Sequence, residues 1–261
     1  MNALRIPIWQ EARIALERAA LSRDPVLRGQ GVARGDGMPV LLIPGFMAGD
    51  LTLSLMSHWL GRLGYEPCRA GIRANVDCTG HAIDRLEAAL EALVGHHERQ
   101  VAIIGHSRGG SMARILAVRR PELVKSIVCL GSPLVDQFAV HPLVRAHVEA
   151  VATLGTLGVH GVFRRACLMG SCCDQVRREA AAPFPGDVRF TSIYSRSDGI
   201  VDWRSCLDPA ATHVEVGSSH CGLAVNGRVY AEIGRALGPE IRVAHPRSRV
   251  KAVRSADALA A

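Results

Sequence analysis

Six short runs rich in Val, Ile and Leu, with helix-patterned stretches between them, constrain the fold of this 261-residue chain more than any other feature. They are Val40 to Pro44, Pro67 to Ile72, Val101 to Gly105, Val124 to Gly131, Phe190 to Tyr194 and Val214 to Gly217. Their apolar residues are nearly consecutive rather than alternate, the mark of strands covered on both faces, as in a parallel sheet. Between them, His81 to His97 repeats Ile83, Leu86, Leu90 and Leu93 at helical spacing. Gly109 to Arg120 stops one residue short of Pro121, whose ring disfavours a helical residue before it. Strand alternating with helix predicts an α/β fold: a doubly wound, mainly parallel sheet with helices on both faces. A helix over Trp9 to Ser22 precedes it, and one over Val225 to Leu237 closes it.

The gap from Leu134 to Pro185 is too long for one crossover and predicts two or three short extra helices over the carboxyl ends of the strands. The expected organisation is therefore an N-terminal helix and linker (1–38), a first core part (39–133), a helical cap (134–186), a second core part (187–238) and a mobile basic tail (239–261).

With 48% hydrophobic and 21% charged residues, the chain can bury a sizeable core, which excludes disorder of the whole. No segment approaches the ~18 apolar residues of a membrane span, and Met1 to Arg13 carries no signal-like run, so a cytoplasmic location is expected, with peripheral lipid contact left open. The net charge of +7 is almost all arginine. Arg119-Arg120, Arg164-Arg165 and Arg177-Arg178 are dispersed pairs without interleaved aromatics, so no nucleic-acid partner is expected. The cysteines form no paired C-x-x-C set, which argues against a structural metal. Cys129 reads as a core residue. Whether Cys68/Cys78, Cys167/Cys172/Cys173 or Cys206/Cys221 form disulfides is not legible, and neither is oligomeric state.

Gly105-His106-Ser107-Arg108-Gly109 matches G-x-S-x-G at a strand-to-helix junction, where a strained turn lifts a serine hydroxyl clear of the backbone. A serine needs a base, and His220, in the loop after the last strand run, is at the same sheet edge. The orienting carboxylate is Asp198, just after the fifth strand run, in preference to Asp202, which stands where a helix cap is wanted. Two backbone N–H groups should face a developing oxyanion: those of Arg108 and of Phe46, the latter in preference to Met47. Met47, His106, Leu134 and Phe138 are the candidate substrate-binding residues, with Leu143 and Met169 as further apolar lining.

Pro39 to Met47, Gly105 to Gly110, Ser195 to Asp202 and Ser218 to Gly222 together resemble the α/β-hydrolase superfamily, in particular bacterial lipase- and esterase-like, triacylglycerol-lipase-type members. The order Ser, Asp, His agrees with that resemblance; the loop Pro44-Gly45-Phe46 departs from the His-Gly of many lipases. The resemblance implies hydrolysis of a hydrophobic acyl ester through an acyl-enzyme, with no cofactor and no metal. It leaves open thioester substrates and a non-catalytic, ligand-binding use of the same pocket.

Overall fold

The computed structural model describes residues 6–238. The tail expected to be mobile lies outside them, as do the side chains of Met169 and Cys172.

Six strands form one sheet, all neighbours parallel, in the order β2-β1-β3-β4-β5-β6. They are β1 (Pro39–Ile43), β2 (Glu66–Arg69), β3 (Val101–His106), β4 (Val124–Leu130), β5 (Arg189–Tyr194) and β6 (Thr212–Glu215). β1 and β3 are buried at every position. On one face Val40, Leu42, Ala102 and Ile104 meet α2 (Ser54–Arg62), α8 (Gly227–Leu237) and Leu21 of α1 (Ile14–Arg23). On the other, Leu41, Ile43 and Ile103 meet α3 (Thr79–His97) and α4 (Arg108–Arg119). Consecutive residues point to opposite faces, so both faces of these strands must be apolar.

The edges depart from the continuous apolar pattern. β2 and β6 are largely exposed, and β2 carries Pro67, which cannot donate to a ladder and is tolerated on an edge strand. The N-terminal helix is divided, a 3-10 turn over Ile8–Arg13 leading into α1. The segment between β4 and β5 holds α5 (Pro142–Thr156), α6 (Arg165–Met169) and α7 (Asp174–Ala181). α5 is a full-length helix rather than a short one. α7 does not lie over the strand ends: Val176 joins the α3–α4 side of the core.

Arg119 and Arg120, one of the dispersed arginine pairs, are engaged in ion pairs. Arg119 contacts Asp84 and Glu87 of α3 and Glu179 of α7, at 2.9, 3.0 and 2.7 Å, with its side chain 13% exposed. Arg120 contacts Glu87, Glu91 and Glu122. Part of the positive charge thus ties helices together. Among the described residues no helix is long and apolar enough to cross a membrane.

Candidate active site

Ser107 occupies the turn between β3 and α4 with φ 55° and ψ −124°. A non-glycine residue there is strained, and such strain persists only where the surroundings enforce it. Here the turn is closed by Ser107 N–H donating to Leu130 O at 2.8 Å and Gly110 N–H donating to Ser107 O at 2.9 Å. The flanking glycines are sterically required: a Cβ on Gly105 would lie 2.4 Å from the Gly109 carbonyl, and one on Gly109 would lie 2.1 Å from Ile43 O.

Asp198 and His220 are both buried and meet at 2.7 Å, Nδ1 to Oδ2. The other oxygen, Oδ1, accepts from the N–H groups of Ile200 and Val201 at 2.8 and 2.7 Å. With the carboxylate accepting at Nδ1–H, Nε2 of His220 is left as the basic nitrogen. Burial lowers the imidazole pKa, but the charge and hydrogen bond of Asp198, with the charge of Glu11, outweigh it, so the net shift is upward. Asp202 instead caps a 3-10 turn over Trp203–Cys206, accepting from Arg204 N–H at 3.0 Å.

Ser107 and His220 open on one cavity of about 760 Å³. Among the described residues their side chains are not hydrogen-bonded to each other, a spacing common in unliganded sites. The cavity is walled on one side by Gly45, Phe46 and Met47, and on the other by residues of the β4–β5 segment that include Phe138, Val140, Val144 and Phe163. Its lining is predominantly apolar.

The N–H groups of Phe46 and Arg108 donate to no protein acceptor among the described residues, whereas that of Met47 is committed to Asn75 O at 3.4 Å. His106 also reaches the cavity, but its Nε2–H donates to His220 O at 3.0 Å, and burial holds its pKa at about 4, so it is neutral near pH 7. Met47 is 53% and Phe138 46% exposed at the cavity. Leu134 is not part of the lining: it is buried on the α3–α4 side of the core, with its N–H donating to Ser205 O at 2.8 Å. An apolar residue just past a strand end suits a core as well as a pocket, and the chain turns it inward. Leu143 is exposed and outside the lining as well.

Several residues that sequence reasoning passed over hold this site. Gly131, at the end of β4, has φ +54°, and a Cβ there would lie 3.0 Å from Asp198 Oδ2 and 3.2 Å from His220 Nδ1. Asn75 is buried and donates from Nδ2 to Pro44 O at 2.8 Å. The Arg108 guanidinium donates to Asn75 O, Asp77 O and Thr79 Oγ1 at 2.7, 2.7 and 3.0 Å. Glu11 and Glu17 accept from the loops that carry Asp198 and His220. Only a glycine or a polar residue next to a motif could have hinted at these; the contacts are too distant in sequence to read. Near Arg108, Cys78 Sγ and Cys173 Sγ stand 3.6 Å apart, beyond the ~2.05 Å of a disulfide bond.

A family model described as alpha/beta hydrolase fold matches residues 77–149, which include the Ser107 turn. The chain has the α/β-hydrolase fold. Among curated proteins the chain is similar to a triacylglycerol lipase of Burkholderia plantarii, 24% identical over 254 residues, covering 90% of this chain and 70% of that one. A triacylglycerol lipase of Pseudarthrobacter phenanthrenivorans is also 24% identical, over 77% of this chain and 67% of its own. Among solved structures, the mature form of a Bacillus licheniformis lipase superimposes with a TM-score of 0.57 at 14% identity, covering 78% of this chain and 93% of that one. The fold is theirs, and the likeness is to lipases and esterases.

Proposed function

We propose that this α/β-hydrolase cleaves carboxylic esters with hydrophobic acyl groups, using Ser107 as nucleophile, His220 as general base and acid, and Asp198 as the orienting carboxylate. The observation that carries the reading is the buried Asp198–His220 contact of 2.7 Å beside a strained serine, both histidine and serine facing one largely apolar cavity.

In this reading Ser107 Oγ attacks the ester carbonyl carbon while its proton passes to His220 Nε2. The carbonyl oxygen takes the negative charge and is met by the N–H groups of Phe46 and Arg108, each such donor being worth about 3 kcal/mol in a transition state. Collapse breaks the carbon–oxygen bond to the alcohol, which leaves with the proton from His220, and Ser107 keeps the acyl group. Water then attacks the acyl-enzyme, giving its proton to His220; the acid departs as Ser107 regains a proton. Asp198 remains ionised throughout and stabilises the transient imidazolium. The part of the β4–β5 segment that lines the cavity, between Gln137 and Leu168, serves as the cover of the acyl site, with Phe138 and Phe163 against the acyl chain.

Fluorophosphonate labelling with peptide mapping tests the reading, with turnover of p-nitrophenyl esters of increasing chain length alongside it. Ser107 should be labelled in the wild type and unlabelled in His220→Ala, and Ser107→Ala should lower kcat by about 10⁴-fold or more. Ester turnover that survives Ser107→Ala would refute the mechanism.

A further inference from the structure

Two carboxylates from the N-terminal segment, Glu11 in the 3-10 turn and Glu17 in α1, reach under the sheet edge to the loops that carry Asp198 and His220. Glu11 Oε1 accepts from Gly199 N–H at 2.9 Å and from His220 N–H at 2.8 Å, while Oε2 accepts from Cys221 N–H at 2.9 Å. Glu17 is buried; it accepts from Ser219 N–H at 2.8 Å and from Ser219 Oγ at 2.6 Å. Ser219 Oγ in turn accepts from Gly222 N–H at 3.1 Å. One carboxylate therefore joins the residue after Asp198 to His220 itself, and the second fixes the residue before His220.

A neutral amide could not do this equally well. Each Glu11 oxygen acts only as an acceptor, and three N–H groups converge on the two of them; a glutamine would turn an N–H of its own against one of these donors. Ionised acceptors also make the stronger hydrogen bonds to backbone N–H groups.

We propose that Glu11 is a positioning residue for His220. Its ionised carboxylate sets the acid loop against the histidine loop and adds a second negative charge beside the imidazole, with Glu17 steadying Ser219 behind it. This rests on the Ser107–Asp198–His220 reading above. The groups facing His220 are Asp198 from the acid loop, His106 from β3 with ring centroids 4.8 Å apart, Glu11 from the N-terminal turn, and Cys221 on its own loop. His106 is neutral at pH 7, and burial with Glu11 nearby pushes the Cys221 thiol up to about 12, so it too is neutral. Asp198 and Glu11 are then the two charges that act on the ring, both in the direction of imidazolium.

The test is Glu11→Gln in the full chain, read by NMR titration of the His220 imidazole, by the pH profile of kcat/KM on p-nitrophenyl butyrate, and by melting temperature. Loss of the Glu11 charge should lower the His220 pKa and move the acid limb with it. At the plateau kcat should fall by roughly 10- to 100-fold, the cost of a small misplacement, with KM nearly unchanged. A folded Glu11→Gln protein with the His220 titration and acid limb of the wild type overturns the proposal and leaves Glu11 a structural brace. If Glu11→Gln does not fold, Glu11→Asp decides: it keeps the charge on a shorter arm, so the His220 titration should stay raised while kcat falls, and an unchanged kcat overturns the proposal. A wild type without Ser107-dependent turnover would overturn the esterase reading, whereas the His220 titration reports on Glu11 regardless of turnover.

Discussion

Arg108 Nη1 donates to the main-chain carbonyl of Asn75 at 2.7 Å, so the residue after the strained serine grips the segment that fixes the opposite wall of the site. Asn75 Nδ2 completes the tie by donating to Pro44 O at 2.8 Å, two residues before Phe46. The two backbone amides proposed to meet the oxyanion are thereby cross-linked through one buried asparagine. Their spacing is set by hydrogen bonds rather than by chain continuity.

Arg108→Met should keep the amide and most of the packing against Phe163 while deleting three hydrogen bonds. We expect kcat/KM to fall about 10- to 100-fold with little loss of protein yield, since small misplacements of preorganised donors cost of that order. Arg108→Lys should not restore it, because a point ammonium cannot reproduce a planar fork onto two carbonyls and a hydroxyl. Steady-state kinetics of the two variants beside wild type checks this.

Gly131→Ala should harm catalysis as well as stability. Its φ of +54° costs an alanine about 1–2 kcal/mol, and the new methyl would press on Asp198 Oδ2 and His220 Nδ1 at 3.0 and 3.2 Å. The expected outcome is a folded protein with a lowered melting temperature and a fall in kcat well beyond what the stability loss explains. Wild-type kcat in that variant would show that the contact relaxes without moving the pair.

How much of this could be read from the sequence depends on the range of the interactions. The inner strands, the Ser107 turn and the position of Asp202 as a cap, with Asp198 rather than Asp202 in contact with His220, are accessible because apolar runs, glycine spacing and capping positions are local signals. The edge strands were blurred, since a strand with one neighbour can be polar and carries no two-faced apolar pattern; β6 is placed by pairing with β5, not by its own residues. Leu134 was misjudged because burial against α3 and α4 and exposure to a cavity ask for the same side chain. Glu11 was invisible: its partners are 188 to 210 positions away, and a lone glutamate in an amphipathic turn looks like a solvated charge.

The buried Arg114–Asp208 pair gives a prediction on stability alone. Arg114 Nε donates to Asp208 Oδ2 at 2.6 Å with both side chains under 10% exposed, and Nη2 reaches Ala182 O at 3.0 Å. Arg114→Met strands a buried carboxylate and should destabilise by about 3–5 kcal/mol in urea denaturation. Arg114→Met with Asp208→Asn should cost less than the sum of the single changes, because the second removes the charge the first left unpaired.

Two histidines in contact should give activity and stability different pH dependences. In the proposed mechanism His220 has to be neutral to take the Ser107 proton, and its pKa is raised, so kcat/KM should be lost as pH falls through a value above 6.5. The same raised pKa means its imidazolium contributes stability that is complete below about 6.5 and is lost as pH rises through the folded-state value. His106 behaves oppositely. Folding holds it neutral down to about 4, while an unfolded histidine takes up its proton near 6.5, so its contribution is complete above 6.5 and lost as pH falls towards 4. Urea denaturation between pH 4 and 6.5 should therefore show a shallower pH slope in His106→Gln than in wild type, an amide having no proton to gain. An acid limb of wild-type activity below 6.5 would mean that desolvation of His220 outweighs the carboxylates around it, and would remove the electrostatic basis for the role given to Asp198 and Glu11.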